Sequence, residues 1–92
     1  MIYAVFLCDK NWMIKKIKQN DDRLSLCEGE FLTDMVSQWE KLEENEEKYY
    51  SLELTFLEHD LTVPGIIRFY KEGNLVILAS ANNNQELFYL IQ

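Results

Sequence analysis

Ile2-Tyr3-Ala4-Val5-Phe6-Leu7-Cys8 is an unbroken apolar run, rich in aromatic and β-branched members, with no polar residue to mark a wet side. A strand of that composition is buried on both faces, so it belongs in the middle of its sheet. Residues 75–81, Leu-Val-Ile-Leu-Ala-Ser-Ala, carry the same pattern and predict a second central strand. Asp9-Lys10-Asn11 supplies turn chemistry after the first run. Residues 12–18 then place Ile14 and Ile17 among Lys15, Lys16 and Lys18. Lysines along a strand discourage pairing with a foreign edge, so this segment reads as an edge strand hairpinned to the first.

Further along, residues 51–58 alternate, with Leu52, Leu54 and Phe56 on one side and Glu53, Thr55 and Glu58 largely on the other. That is a strand with one wet face. In residues 63–71, Ile67 and Phe69 oppose Arg68 and Tyr70, and Pro64 belongs at the strand's start or at a bulge because it cannot donate to a ladder. Glu72-Gly73-Asn74 closes a tight hairpin into residues 75–81. Five antiparallel strands result, two central and three flanking.

Between the second and third strands the apolar period changes. Ser25 and Glu28 have the capping-box spacing, and Phe31, Leu32, Met35, Val36, Trp39 and Leu42 recur at steps of three and four. The spacing predicts a helix, entered near Ser25 and frayed by Asn45, with those six side chains on the sheet and with Asp34, Gln38, Lys41 and Glu44 toward water. Asn82-Asn83-Asn84 is a run of helix caps, and Asn83 with Glu86 repeats the cap-plus-acid spacing ahead of Leu87, Phe88, Leu90 and Ile91. An exit helix is therefore expected from residue 83, cut at Gln92 and continuing in a longer protein. The expected fold class is α+β: a five-stranded antiparallel sheet, a helical segment on one face, and a C-terminal exit helix. One domain fills residues 1–92, with 83–92 the start of a linker helix.

Composition narrows function mostly by exclusion. Ninety-two residues bury only about 60–65% of the unfolded surface, which leaves room for one compact core. The net charge of −7 would repel a phosphate backbone, so nucleic acid is not an expected partner. Cys8 and Cys27 form no CxxC pair and read as reduced, structural thiols of a cytoplasmic protein. The opening lacks the basic n-region of a secretory signal, and no apolar run approaches the ~18 residues of a membrane span. His59-Asp60 has the composition of a solvated turn with no nucleophile motif near it. Glu43, Glu44, Glu46 and Glu47 lack the spacing of a calcium loop and read as a solvated acidic stretch, so no metal site is expected.

The order of two strands, a helical segment, three strands and an exit helix resembles the PAS fold of bacterial sensor proteins, which implies the strand order 2-1-5-4-3, with the first strand paired to both the second and the last. The likeness covers nearly the whole chain, and it is one of layout. Residues 8–14, Cys-Asp-Lys-Asn-Trp-Met-Ile, resemble the turn between the first two PAS strands. Residues 66–80, Ile-Ile-Arg-Phe-Tyr-Lys-Glu-Gly-Asn-Leu-Val-Ile-Leu-Ala-Ser, are similar to the closing hairpin of PAS-like sensor domains in histidine kinases. The Asp-Ile-Thr signature that often follows the last PAS strand is absent here.

The resemblance implies a cytoplasmic sensory or dimerisation module, not itself an enzyme, at the N-terminus of a sensor histidine kinase. A small apolar ligand would sit between Phe31, Met35 and Trp39 of the helix and Phe56, Ile67 and Phe69 of the sheet. The signal would pass through Asn82, Asn83, Asn84 and Leu87 to a downstream kinase or effector domain, with a homodimer paired along the exit helices. Cys27 in Leu26-Cys27-Glu28 does not match the Asn-Cys-Arg motif of flavin-binding members, and His59 lies outside a helix, unlike the ligand of haem members. No cofactor is expected. The rival expectation is a free-standing acidic α+β interaction module that binds a basic partner and takes no ligand.

Overall fold

The computed structural model describes residues 2–42 and 49–80, with only the backbone of Tyr49. Five strands, β1 (Ile2–Cys8), β2 (Ile14–Asn20), β3 (Tyr49–Phe56), β4 (Leu61–Tyr70) and β5 (Gly73–Ala79), form one antiparallel sheet in the order β2-β1-β5-β4-β3. β1 lies between β2 and β5, with Val5 opposite Ile77 and Phe6 opposite Val76. Both faces of these two strands meet apolar neighbours, which accounts for their unbroken hydrophobic sequences. On one face Ala4, Phe6, Cys8, Val76, Leu78, Ile67, Val63, Leu54 and Phe56 form the main core. On the other, Ile66, Ile77 and Ala79 are buried, with Ile2, Val5 and Leu75 packed against them.

Pro64 is accommodated without losing a ladder bond. It stands opposite Glu53 of β3, in a pair that exchanges no hydrogen bonds, and one residue outside the β4–β5 register that opens at Gly65–Leu78.

The helical expectation over residues 31–42 is overturned, and with it the α+β class. Among the described residues there is no α-helix, only two three-residue 3₁₀ turns, η1 (Leu32–Asp34) and η2 (Trp39–Lys41), so the fold is a sheet covered by an irregular strap. The capping-box pair Ser25 and Glu28 opens no helix either. Instead the N–H of Glu30 bonds the carbonyl of Cys27 around Gly29, whose φ of 95° only glycine adopts without strain.

Tethering explains why the strap stays open. One end is held on the β1–β2 side: Ile14 N–H donates to Glu30 O, Gly29 N–H to Ile14 O and Leu32 N–H to Trp12 O, and Phe31 bridges Met13. The other end is held on β3, where Val36 bridges Phe56 and Ser37 N–H donates to Thr55 O. Four strand spacings of about 4.8 Å separate β2 from β3 in a flat sheet. The five residue steps from Phe31 to Val36 would cover roughly 7.5 Å as a helix but about 17 Å when fully extended. The strap lies between these limits, a single 3₁₀ turn with more open residues on either side held by sheet bonds at both ends, and Leu24, Leu26, Leu32, Val36 and Leu42 go into the core from it.

The expected exit helix, and the relay residues Asn82, Asn83, Asn84 and Leu87, lie outside the described residues. No helix among the described residues is long and apolar enough to cross a membrane.

Candidate functional site

Among the described residues, the six expected to wall a ligand pocket do not line one cavity together. Ile67 is fully buried in the core, and Phe69 stacks on Tyr50 at 5.5 Å with its ring edge-on to Trp12 at 6.3 Å. Phe31 and Trp39, expected on the sheet, are 39% and 53% exposed. The strap is not helical, so its three- and four-residue period no longer places them on one face. Among the cavities lined by described residues, Met35 and Phe56 alone of the six share one.

That cavity is a cleft of about 250 Å³ between the strap and the β3–β4 turn, lined by Ser25, Leu26, Glu30, Asp34, Met35, Phe56, Leu57, Glu58 and His59. Its floor is built by packing: Leu26 and Phe56 are buried, and Met35 is partly buried against the core. Leu57 N–H donates to Met35 O at 3.0 Å, which draws the end of β3 onto the strap. Leu57 nonetheless keeps 61% of its surface exposed beside the opening. At the far end the backbone N–H of Ser25 donates to His59 Nε2 at 3.4 Å. His59 is carried by a turn in which Asp60 adopts φ 49°, a left-handed conformation that Asp tolerates better than most residues.

Three carboxylates, Glu30, Asp34 and Glu58, stand among the lining residues, and the imidazole of His59 is the only basic side chain with them. The electrostatic character is negative over an apolar floor. No metal-binding group of three His, Cys, Asp or Glu side chains occurs among the described residues.

Nucleophilic chemistry finds no support in this geometry. Ser25 meets His59 through its backbone and not its hydroxyl. The neighbouring thiol of Cys27, exposed on the surface, is shifted up from its ordinary pKa by its hydrogen bond to the Glu30 side chain and by the charge there. Cys8 is buried, and desolvation followed by the charge of Asp9 pushes it up to about 12. Cys8 is thus the small hydrophobe that its sequence context predicts, whereas Cys27 is not.

Sequence reasoning missed the rest of the cleft. His59 was expected in a solvated turn, which it occupies, but the turn faces the strap across the cleft. One usable signal was Leu57: two adjacent apolar residues, Phe56 and Leu57, cannot both enter the core of an alternating strand, so one must face elsewhere. No family model, curated protein or solved structure matches the chain.

Proposed function

We propose that this domain is a non-catalytic sensory module of a signalling protein, and that its ligand is a small organic cation with an apolar body bound in the cleft. The carrying observation is the pairing of an apolar floor, Leu26, Met35, Phe56 and Leu57, with the carboxylates of Glu30, Asp34 and Glu58 in one opening of about 250 Å³. An apolar pocket with a few convergent polar groups is the usual form of a small-molecule site, and this volume favours a ligand at the small end of that range. The sheet order, with β1 central, also agrees with the order implied by the sequence resemblance to sensor modules of histidine kinases.

Occupancy would be felt in the strap. Met35 lines the cleft while the next residues, Ser37 and Gln38, hold the outer edge of β3, so a ligand that displaces Met35 loads that attachment directly. A ligand shifts such an equilibrium only by its differential affinity for the two arrangements. Kinase or effector chemistry would belong to a downstream domain in the parent protein.

The test is an NMR titration with a panel of alkyl- and arylalkyl-amines and guanidines, alongside native mass spectrometry of protein purified from its host. Amide shifts confined to the residues around Met35, Leu57 and His59, weakened by Asp34→Asn and by Glu58→Gln, are expected. Shifts scattered over the whole surface, or binding unchanged in both variants, would refute the reading.

A further inference from the structure

We infer that the outer edge of β3 is a docking site for an extended segment of a basic partner polypeptide, which adds to the sheet as a short sixth strand. This inference is independent of the cleft. It begins with the two sheet edges, which are built differently. β2, at one edge, is broken by two register shifts against β1 and carries the exposed Lys15, Lys16 and Lys18. Bulges and lysines are the usual defences of an edge against foreign strands. β3, at the other edge, keeps a continuous register with β4 over all eight residues and has no lysine.

Thr55 shows which way the backbone of β3 faces. Its C=O accepts from Ser37 N–H at 3.0 Å and its N–H donates to Gln38 Oε1 at 2.7 Å, so both groups point away from β4. Backbone groups alternate sides along a strand, so those of Glu53 and Ser51 point outward as well. Among the described residues nothing is bonded to them. The strap therefore supplies a strand mimic at Thr55, leaves the edge after Gln38 through η2, and returns at Lys41, whose carbonyl accepts from the Tyr50 hydroxyl. The resulting groove, about 620 Å³, is lined by Gln38, Lys41, Tyr50, Ser51, Leu52 and Glu53. Unpaired donors and acceptors at strand spacing along one wall are the requirement for strand addition.

The groove's chemistry selects the occupant. An added residue opposite Glu53 shares the outer face with that carboxylate, and the whole chain carries a net charge of −7, so Lys or Arg is favoured there. The neighbouring position, on the face of Leu52, takes an apolar side chain. A second copy fits less well. Two β3 edges brought together would set one Gln38–Lys41 turn against the other and join two chains of the same large negative charge.

The probe is a blocked Thr-Lys-Val-Lys-Thr peptide, titrated into the ¹⁵N-labelled protein beside Thr-Glu-Val-Glu-Thr and an N-methylated Thr-Lys-Val-Lys-Thr. Saturable shifts of the Ser51 and Glu53 amides with a millimolar Kd are expected for the lysine peptide, with binding lost on N-methylation. Ser51→Pro removes an outward donor at an edge position that tolerates proline, and should abolish binding while the remaining spectrum stays folded. Glu53→Lys should reverse the preference toward the glutamate peptide by a few-fold.

Three results overturn the inference. The Ser51 and Glu53 amides of the free monomer are strongly protected from exchange, which shows them already paired. The protein elutes as a dimer that Ser51→Pro dissociates, which makes a second copy the occupant. Or the lysine peptide leaves both amides unmoved at millimolar concentration, including the case where it shifts only the cleft.

Discussion

Replacing Gln38 by Ala separates a strap from a helix by the sign of its effect. On a helix packed through Met35, Val36 and Trp39, Gln38 faces water, and Ala there changes stability by a few tenths of a kcal/mol in the favourable direction. In the structure the Gln38 side chain makes two bonds to one residue of the β3 edge: Nε2 donates to Thr55 Oγ1 at 2.9 Å, and Oε1 accepts from Thr55 N–H at 2.7 Å. Each is worth about 0.5–1.5 kcal/mol net, and both are only part-buried, so water offsets some of the loss; about 2 kcal/mol of destabilisation is expected. For a domain of this size that lowers Tm by on the order of 10 °C.

Urea and thermal unfolding followed by circular dichroism measure it, with an unchanged m-value confirming that the folded state is the one affected. Gln38→Glu keeps an acceptor for Thr55 N–H and should recover roughly half the loss. A cycle with Thr55→Val, which deletes only the hydroxyl, should give a coupling of about 1 kcal/mol. If Gln38→Ala leaves the midpoint unmoved or raises it, the strap is not clamped to β3 and the tethering argument fails.

Gly73→Ala should cost at least about 2 kcal/mol, because φ there is 153° and a Cβ would run into the Cys8 carbonyl, which is backbone and cannot step aside; a urea midpoint within error of the parent would contradict it. Gly29→Ala meets no atom, so its cost, about 1 kcal/mol, is the left-handed backbone alone, and Gly29→Asn should cost less. The Cys8 thiol has a folded pKa raised from 9.0 to about 12, so the folded state holds its proton where the unfolded state releases it. Its contribution is complete below pH 9 and is lost as the pH climbs from 9 toward 12, and Cys8→Ala should flatten that part of the stability profile. In Trp12→Phe protein the remaining indole, Trp39, should emit like a water-exposed tryptophan, since it is half exposed; a blue emission would return it to the core.

Strand placement was legible because burial on both faces leaves a composition that nothing else in so short a chain produces. Ile2-Tyr3-Ala4-Val5-Phe6-Leu7-Cys8 and the run through Leu75, Val76, Ile77 and Leu78 lie side by side at the sheet's centre, and the lysine-bearing β2 lies at its edge. Residues 31–42 were misread for an equally physical reason. A period of three to four is produced by a helix, but also by a strap that dips into a core at Leu32, Val36 and Leu42 while Phe31 and Trp39 stay out. Periodicity records how often the chain touches the core, not the path between touches. The path is set by hydrogen bonds to both sides of the sheet, with partners 16 residues upstream and 18 residues downstream, as Ile14 with Glu30 and Ser37 with Thr55 illustrate.

The cleft was invisible for the same reason. Ser25, Glu30, Asp34 and His59 have no common spacing, and they come together only because the strap is not an α-helix: a helix through Met35 would have closed the gap over Phe56. The strap also sets where the edge of β3 opens. A helix lies over a sheet face and leaves both edges alone, whereas a strap anchored at Thr55 must end its own pairing somewhere, and it does so at Gln38, opposite Thr55, two residues short of Glu53 and four short of Ser51 in the outward-facing row. The cleft and the end of edge pairing at Thr55 thus both follow from one local feature, the anchoring of residues 31–38 to both sides of the sheet with a single 3₁₀ turn between the anchors. A change that restores helical bonding there, such as Ala at Ser37 and Gln38 together, should close the cleft and release Thr55, lengthening the open edge.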